Sequence, residues 1–149
     1  MVTRIDVPSA LPPRSKHTVL LIHDDESFLE GLIERMRRDG RFEVLSADNA
    51  FDAGRMTRER VPELIMISTQ LQDLDVSDAL RKVRSARGLE GLRVVCYGAA
   101  SEQEATKLIA WGADEALPRH CDVDAIITAI RRLLGLAPPE EGPAGAPVG

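Results

Sequence analysis

The chain has 149 residues, of which 44% are hydrophobic, 29% charged and 3% aromatic, with two cysteines and a formal net charge of −5. That length provides one domain-sized core plus tails, built mainly from Leu, Ile, Val and Ala because the only aromatics are Phe28, Phe42, Phe51, Tyr97 and Trp111. The acidic balance excludes a direct nucleic-acid or membrane-surface binder, either of which needs a basic face. Cys96 and Cys121 form no disulfide framework, and residues 1–16 lack the apolar stretch of a secretory signal. Runs such as residues 19–22 are too short to cross a bilayer, so the expected compartment is a reducing cytoplasm.

Residues 1–16 carry Pro8, Pro12 and Pro13 without an apolar period and read as a disordered lead-in. The domain is expected over residues 17–135. Residues 136–149 are half proline and glycine, the composition of a linker that leads to an effector region beyond residue 149 or ends as a free tail.

Within the domain, short apolar runs alternate with helical periods, the signature of a buried parallel sheet. A strand over 18–22 precedes a helix over 26–39, whose Phe28, Leu29, Leu32, Ile33 and Met36 share one face and which Gly40 ends. A strand over 42–46 and a helix over 49–59 follow. Pro62 then punctuates before a strand over 64–68, a loop holding Asp73 and Asp75, and a helix near 77–85. The fourth strand is expected over 93–97. Ser101 and Glu104 read as a capping box for a helix that ends at Trp111 and Gly112. A short strand over 116–118 leads to Asp122, which caps a last helix with Val123, Ile126, Ile127, Ile130, Leu133 and Leu134 on one face.

In an open α/β sheet, functional groups gather at the carboxyl ends of the strands. Those ends hold His23, Asp24, Asp25 and Glu26, then Ser68, then Gly98, then Arg119, His120 and Cys121. The runs Val19-Leu-Leu-Ile-His-Asp-Asp-Glu26, Pro62-Glu-Leu-Ile-Met-Ile-Ser68 and Gly112-Ala-Asp-Glu-Ala-Leu-Pro-Arg119 resemble, in order and spacing, the receiver domain of bacterial two-component response regulators from about Thr18 to Leu134. The resemblance implies a doubly wound, flavodoxin-like α/β fold with five parallel strands in the order 2-1-3-4-5.

Carried over residue by residue, the resemblance keeps the acidic pair Asp24 and Asp25 and departs elsewhere. Ser68 stands at the family's phosphoaccepting aspartate, and a serine without a general base is a weak nucleophile. Gly98 stands where the family has a Ser or Thr that bonds the phosphoryl group. Arg119 replaces a lysine, and Ala116 the aromatic that swings on activation. Weak magnesium binding would use Asp24, Asp25 and the Gln70 carbonyl. The arrangement expected instead is Arg119 reaching the acidic pair and neutralising it.

Other features have simpler readings. Asp73 and Asp75 read as a solvated loop, and Arg81, Lys82, Arg84 and Arg87 as a solvated helix face. His23, His120 and Cys121 match no metal-ligand spacing, and Cys96 reads as a small buried hydrophobe. Trp111 is expected at the edge of the core. With Lys107, Arg131 and Arg132 it marks a candidate interaction face on the fourth helix, fifth strand and fifth helix, which receivers use to dimerise and to dock protein partners. The reading that follows is a non-enzymatic, phosphorylation-independent pseudo-receiver without a required cofactor, acting as a protein-interaction module in bacterial signalling. A small-molecule sensor using the vacated acidic pocket and a still phosphorylatable regulator are the alternatives.

Overall fold

The computed structural model describes residues 16–138. Five strands and five helices alternate along the chain: β1 (His17–Ile22), α1 (Glu26–Asp39), β2 (Phe42–Ala47), α2 (Ala50–Glu59), β3 (Leu64–Ser68), α3 (Val76–Ser85), β4 (Arg93–Ala99), α4 (Glu102–Trp111), β5 (Glu115–Pro118) and α5 (Val123–Leu133). All strand pairs are parallel, and the sheet order is β2-β1-β3-β4-β5. This is the doubly wound fold implied by the resemblance.

Successive side chains on a strand point to opposite faces, so each central strand feeds two cores. Val19, Leu21, Leu64, Met66 and Val95 pack under α1 and α5 with Leu32, Met36, Ile126 and Ile130. Leu20, Ile22, Ile65, Ile67, Val94 and Cys96 pack on the other face with Ala53, Leu80 and Leu108. This double burial explains why these strands read as continuous apolar runs.

The helices begin where short polar side chains take up the first free backbone N–H groups. Asp25, Asn49, Asp75, Ser101 and Asp122 cap α1 to α5 in turn, each side chain accepting from the N–H three residues on. Glu104 completes the α4 start differently from the expected box, since its carboxylate accepts from the Ala100 N–H. Gly40 closes α1 at a φ of 84°, in the left-handed region that glycine adopts without a side-chain clash.

The expected element boundaries hold to within a residue or two, and the informative difference is at β4. It runs to Ala99, with Tyr97 opposite Leu117 and Ala99 opposite Pro118, so that Gly98 is an extra, bulged residue at a φ of 109°. Bulges of this kind bend a strand and re-aim its end. At the other edge of the domain, Leu136 packs on the core and the Ala137 carbonyl accepts from the Arg41 guanidinium. Packing therefore continues two residues past Gly135. The lead-in over 1–16 lies outside the described residues except for Lys16, as does the tail from residue 139 onward.

Candidate functional site at the carboxyl edge of the sheet

The ends of β1, β3, β4 and β5 meet along one edge, and the sequence-predicted residues lie there without forming one connected cluster. Asp24 and Asp25 follow β1 and are both exposed. Asp25 is committed to the helix, its carboxylate accepting the Phe28 N–H at 3.1 Å. Its own N–H donates to His23 Nδ1 at 3.0 Å, which fixes the proton of the neutral imidazole on Nε2.

His23 is buried and lies 4.7 Å from the Phe28 ring and 5.8 Å from Tyr97, with Phe28 and Tyr97 stacked at 4.9 Å. Burial holds the imidazole below its ordinary pKa, and the negative charges of Asp24 and Asp25 only partly oppose that shift. The three rings form a small aromatic ladder joining β1, α1 and β4. The Tyr97 hydroxyl continues it by donating to the Arg119 carbonyl at 2.9 Å.

Ser68 ends β3 with no exposed surface. Its hydroxyl oxygen accepts the Gln70 N–H at 3.1 Å, so the serine is spent on the turn that follows the strand. Thr69 lies against Gly98, its hydroxyl donating to the Gly98 carbonyl at 3.0 Å and accepting from the Gln70 amide at 3.1 Å. A Cβ built on Gly98 would stand 2.8 Å from the Thr69 hydroxyl oxygen. The place expected to lack a side chain is thus filled from the neighbouring strand.

Arg119 does not reach the acidic pair, which corrects the expectation from the sequence. Its backbone is pinned twice, through its N–H on the Ala99 carbonyl and its carbonyl under the Tyr97 hydroxyl. The residue is exposed, and no ion pair to it occurs among the described residues. It lines an open cleft of about 350 Å³ with Ala99, Ala100, Pro118, His120 and Cys121, and Asp25 is not part of that lining. Ala116, the residue expected at the switch position, is half-buried and packs against the core on the α2–α4 face.

The donor set fits a tightly held divalent ion poorly. One of the two carboxylates caps a helix, Ser68 at the end of β3 is neutral and buried, and no group of three or more His, Cys, Asp or Glu side chains converges on a metal position among the described residues. Cys96 is buried as expected, and burial pushes its thiol up to about 12, which makes it inert. Burial also raises the Cys121 thiol.

Several residues read as solvated from the sequence have structural duties. Asp75 caps α3, and Asp73 accepts the Ala50 N–H, tying the β3–α3 loop to α2. Arg84 is no surface charge: it donates to the Gly112 carbonyl at 2.9 Å, the Leu92 carbonyl at 2.7 Å and Asp114 at 2.7 Å. The candidate interaction residues also separate. Trp111, 45% exposed, lines a cleft with Ser77, Arg81, Arg84 and Ser85 of α3. Arg131 turns to Asp39 at the end of α1, Arg132 pairs with Glu115 on β5 at 2.6 Å, and Lys107 is exposed on α4.

Sequence reasoning missed Thr69, Gln70 as a side-chain donor, and Tyr97. The register could have pointed to the first: Ser68 stands opposite Tyr97, which puts residue 69 beside residue 98.

Comparison with known proteins fits this architecture. The model of the response regulator receiver domain matches residues 19–131, and the chain belongs to that family. The photosynthetic apparatus regulatory protein RegA of Rhodobacter capsulatus is 29% identical over 136 residues, covering 89% of this chain and 71% of that protein. The chemotaxis protein CheY of Listeria monocytogenes is 23% identical over 114 residues, covering 76% of this chain and 95% of that one. Among solved structures, the receiver domain of a DNA-binding response regulator from Colwellia psychrerythraea superimposes with a TM-score of 0.74 at 20% identity, covering 80% of this chain and 99% of the other. The receiver domain of the sensor histidine kinase PA1611 from Pseudomonas aeruginosa, described with a magnesium ion in its active-site cleft, gives 0.70 at 17% identity, covering 81% and 99%. Those two superpositions establish the fold. The chain is a receiver domain of bacterial two-component signalling, and no helix among its described residues is long and apolar enough to cross a membrane.

Proposed function

We propose that this receiver domain works without phosphorylation, as a fixed protein-interaction module in bacterial signal transduction. The observation that carries the reading is Ser68: the residue at the phosphoacceptor position is neutral, fully buried and already bonded through its oxygen to the Gln70 N–H. An alcohol in that state lacks both the charge to nucleate an ion site and a base to activate it. Gly98 offers no hydroxyl, and Arg119 faces solvent. The surface offered to a partner protein or a second copy is α4, β5 and α5, where Lys107 and the Arg132–Glu115 pair lie. Signalling would then depend on which partner is present, with no turnover at the site.

The test is incubation with acetyl phosphate and magnesium followed by intact-mass measurement. The expected result is an unchanged mass. A stable phosphoryl adduct on Asp24, Asp25 or Ser68 overturns the reading in favour of a phosphorylatable regulator. One observation favours a second reading, a sensor of small anions: the cleft of about 350 Å³ beside the exposed Arg119 and His120. Saturable chemical-shift changes confined to residues 99–100 and 118–121 on adding a small carboxylate or phosphate would support it.

A further inference from the structure

The absence of a hydroxyl at position 98, near the end of β4, is matched by the backbone there. Gly98 is the bulged residue of β4, its φ of 109° lies where residues with a Cβ are strained, and the space a Cβ would enter is held by the Thr69 hydroxyl at 2.8 Å. The Gly98 carbonyl accepts from that hydroxyl at 3.0 Å, and Gln70 lies against both groups, 3.1 Å from the hydroxyl and 3.5 Å from the carbonyl. Thr69 cannot turn aside without giving up these bonds, and a β-branched side chain has few rotamers to turn to. Ser101 caps α4 two residues beyond Ala99, and Ala100 is held by Glu104, so the bonds at Gly98 lead directly to the start of that helix.

We infer that Thr69 and Gly98 form an interlocked pair in which Thr69, as a positioning residue, ties the end of β3 to the bulge of β4 and holds the start of α4 in one place. This deepens the phosphorylation-independent reading and rests on it. It explains how the α4 surface stays constant, and it implies that restoring Asp at 68 and Thr at 98 would not by itself restore a switch.

A double-mutant cycle with Thr69→Ala and Gly98→Ala, read by denaturant unfolding, tests the interlock. Gly98→Ala is expected to lower the folding equilibrium constant about tenfold more when Thr69 is present than when it is Ala, because only the clash, and not the φ strain, is relieved by the second change. Purely additive effects overturn the pair. Because strain alone could prevent Gly98→Ala from folding in either background, a second measurement leaves Gly98 intact: 15N relaxation dispersion at Ala99 and Ala100. Flat profiles are expected for the native chain and for Thr69→Ser, which keeps the hydroxyl, with exchange appearing in the isosteric Thr69→Val. Identical profiles in all three overturn the positioning role. Neither experiment involves phosphodonor, so a phosphoryl adduct in the mass experiment would sink the functional reading while leaving the interlock to be judged on its own results.

Discussion

The end of β1 and the ends of β3 and β4 lie on the same sheet edge, yet they are built on opposite principles. At β1, Asp24 and Asp25 are exposed to water and Asp25 is held only by a helix cap. At β3 and β4, Ser68 has no exposed surface, and Thr69 fills the space that Gly98 leaves open. Charge persists where water can solvate it; where the edge is closed, neutral hydroxyls and backbone groups satisfy one another, as buried polar groups must. The exposed carboxylates thus lie at the half of the edge where solvation keeps their cost low.

The largest effect expected from breaking this contrast is Ser68→Asp. A carboxylate placed there would lose its hydration without a cation, a cost of about 2–4 kcal/mol at neutral pH. The sign is checkable: burial raises the folded pKa of such a group, so the penalty grows as pH rises above the ordinary carboxylate value and shrinks in acid. Denaturant unfolding at several pH values measures it, and a neutral cost would mean the β3 end is more open than described.

Asp39 gives the next effect. Its carboxylate, with no exposed side-chain surface, bonds Arg41 at 2.6 and 3.0 Å and Arg131 at 3.1 Å. The Arg41 hydrogen bond is the main reason its carboxyl sits below the ordinary 3.8. Asp39→Ala is expected to cost about 1–3 kcal/mol by leaving two guanidiniums unpaired. A depressed folded pKa contributes stability that is present above 3.8 and lost as pH falls through the folded value, so the native chain should lose stability in that acid window and the variant should lose less.

The adjacent acids after β1 separate more finely. Asp25→Ala removes the α1 cap and should cost about 1 kcal/mol, whereas Asp24→Ala should stay within about 0.5 kcal/mol. Equal costs would contradict the division of labour between them. The smallest effect concerns His23. Burial lowers its folded pKa, so stability is complete above the ordinary value of 6.5 and declines as pH falls below it toward the folded value. His23→Phe, which keeps the ring in the ladder, should flatten that part of the pH profile.

Much of the fold was legible in the sequence because the three central strands, β1, β3 and β4, are apolar runs buried on both faces and each helix opens on an Asp, Asn or Ser cap. The bulge was not, since Gly98 changes no hydrophobic pattern and its consequence lies in the pairing of Tyr97 and Ala99 with β5. The site residues were legible as positions and less so as contacts. Arg119 falls at the right edge, but two backbone hydrogen bonds set its direction and leave its side chain in solvent. Arg84 looked like a solvated surface and Arg131 like part of an interaction face, and only the tertiary approach of the α4–β5 turn and of Asp39 gives them partners. Trp111 was expected at the edge of the core and on the face of α4, β5 and α5; it is 45% exposed and lines a cleft with α3 residues instead.

The most direct test of the account is residue-resolved amide NMR of the whole chain, titrated first with magnesium and then with beryllofluoride as a phosphoryl mimic. The account predicts that Ser68, Gly98 and all of α4 stay still, with any response confined to the exposed acids after β1. Shifts at Ser68 and Gly98 that spread along α4 would contradict it, because they would show an edge that still binds the phosphoryl mimic and still switches.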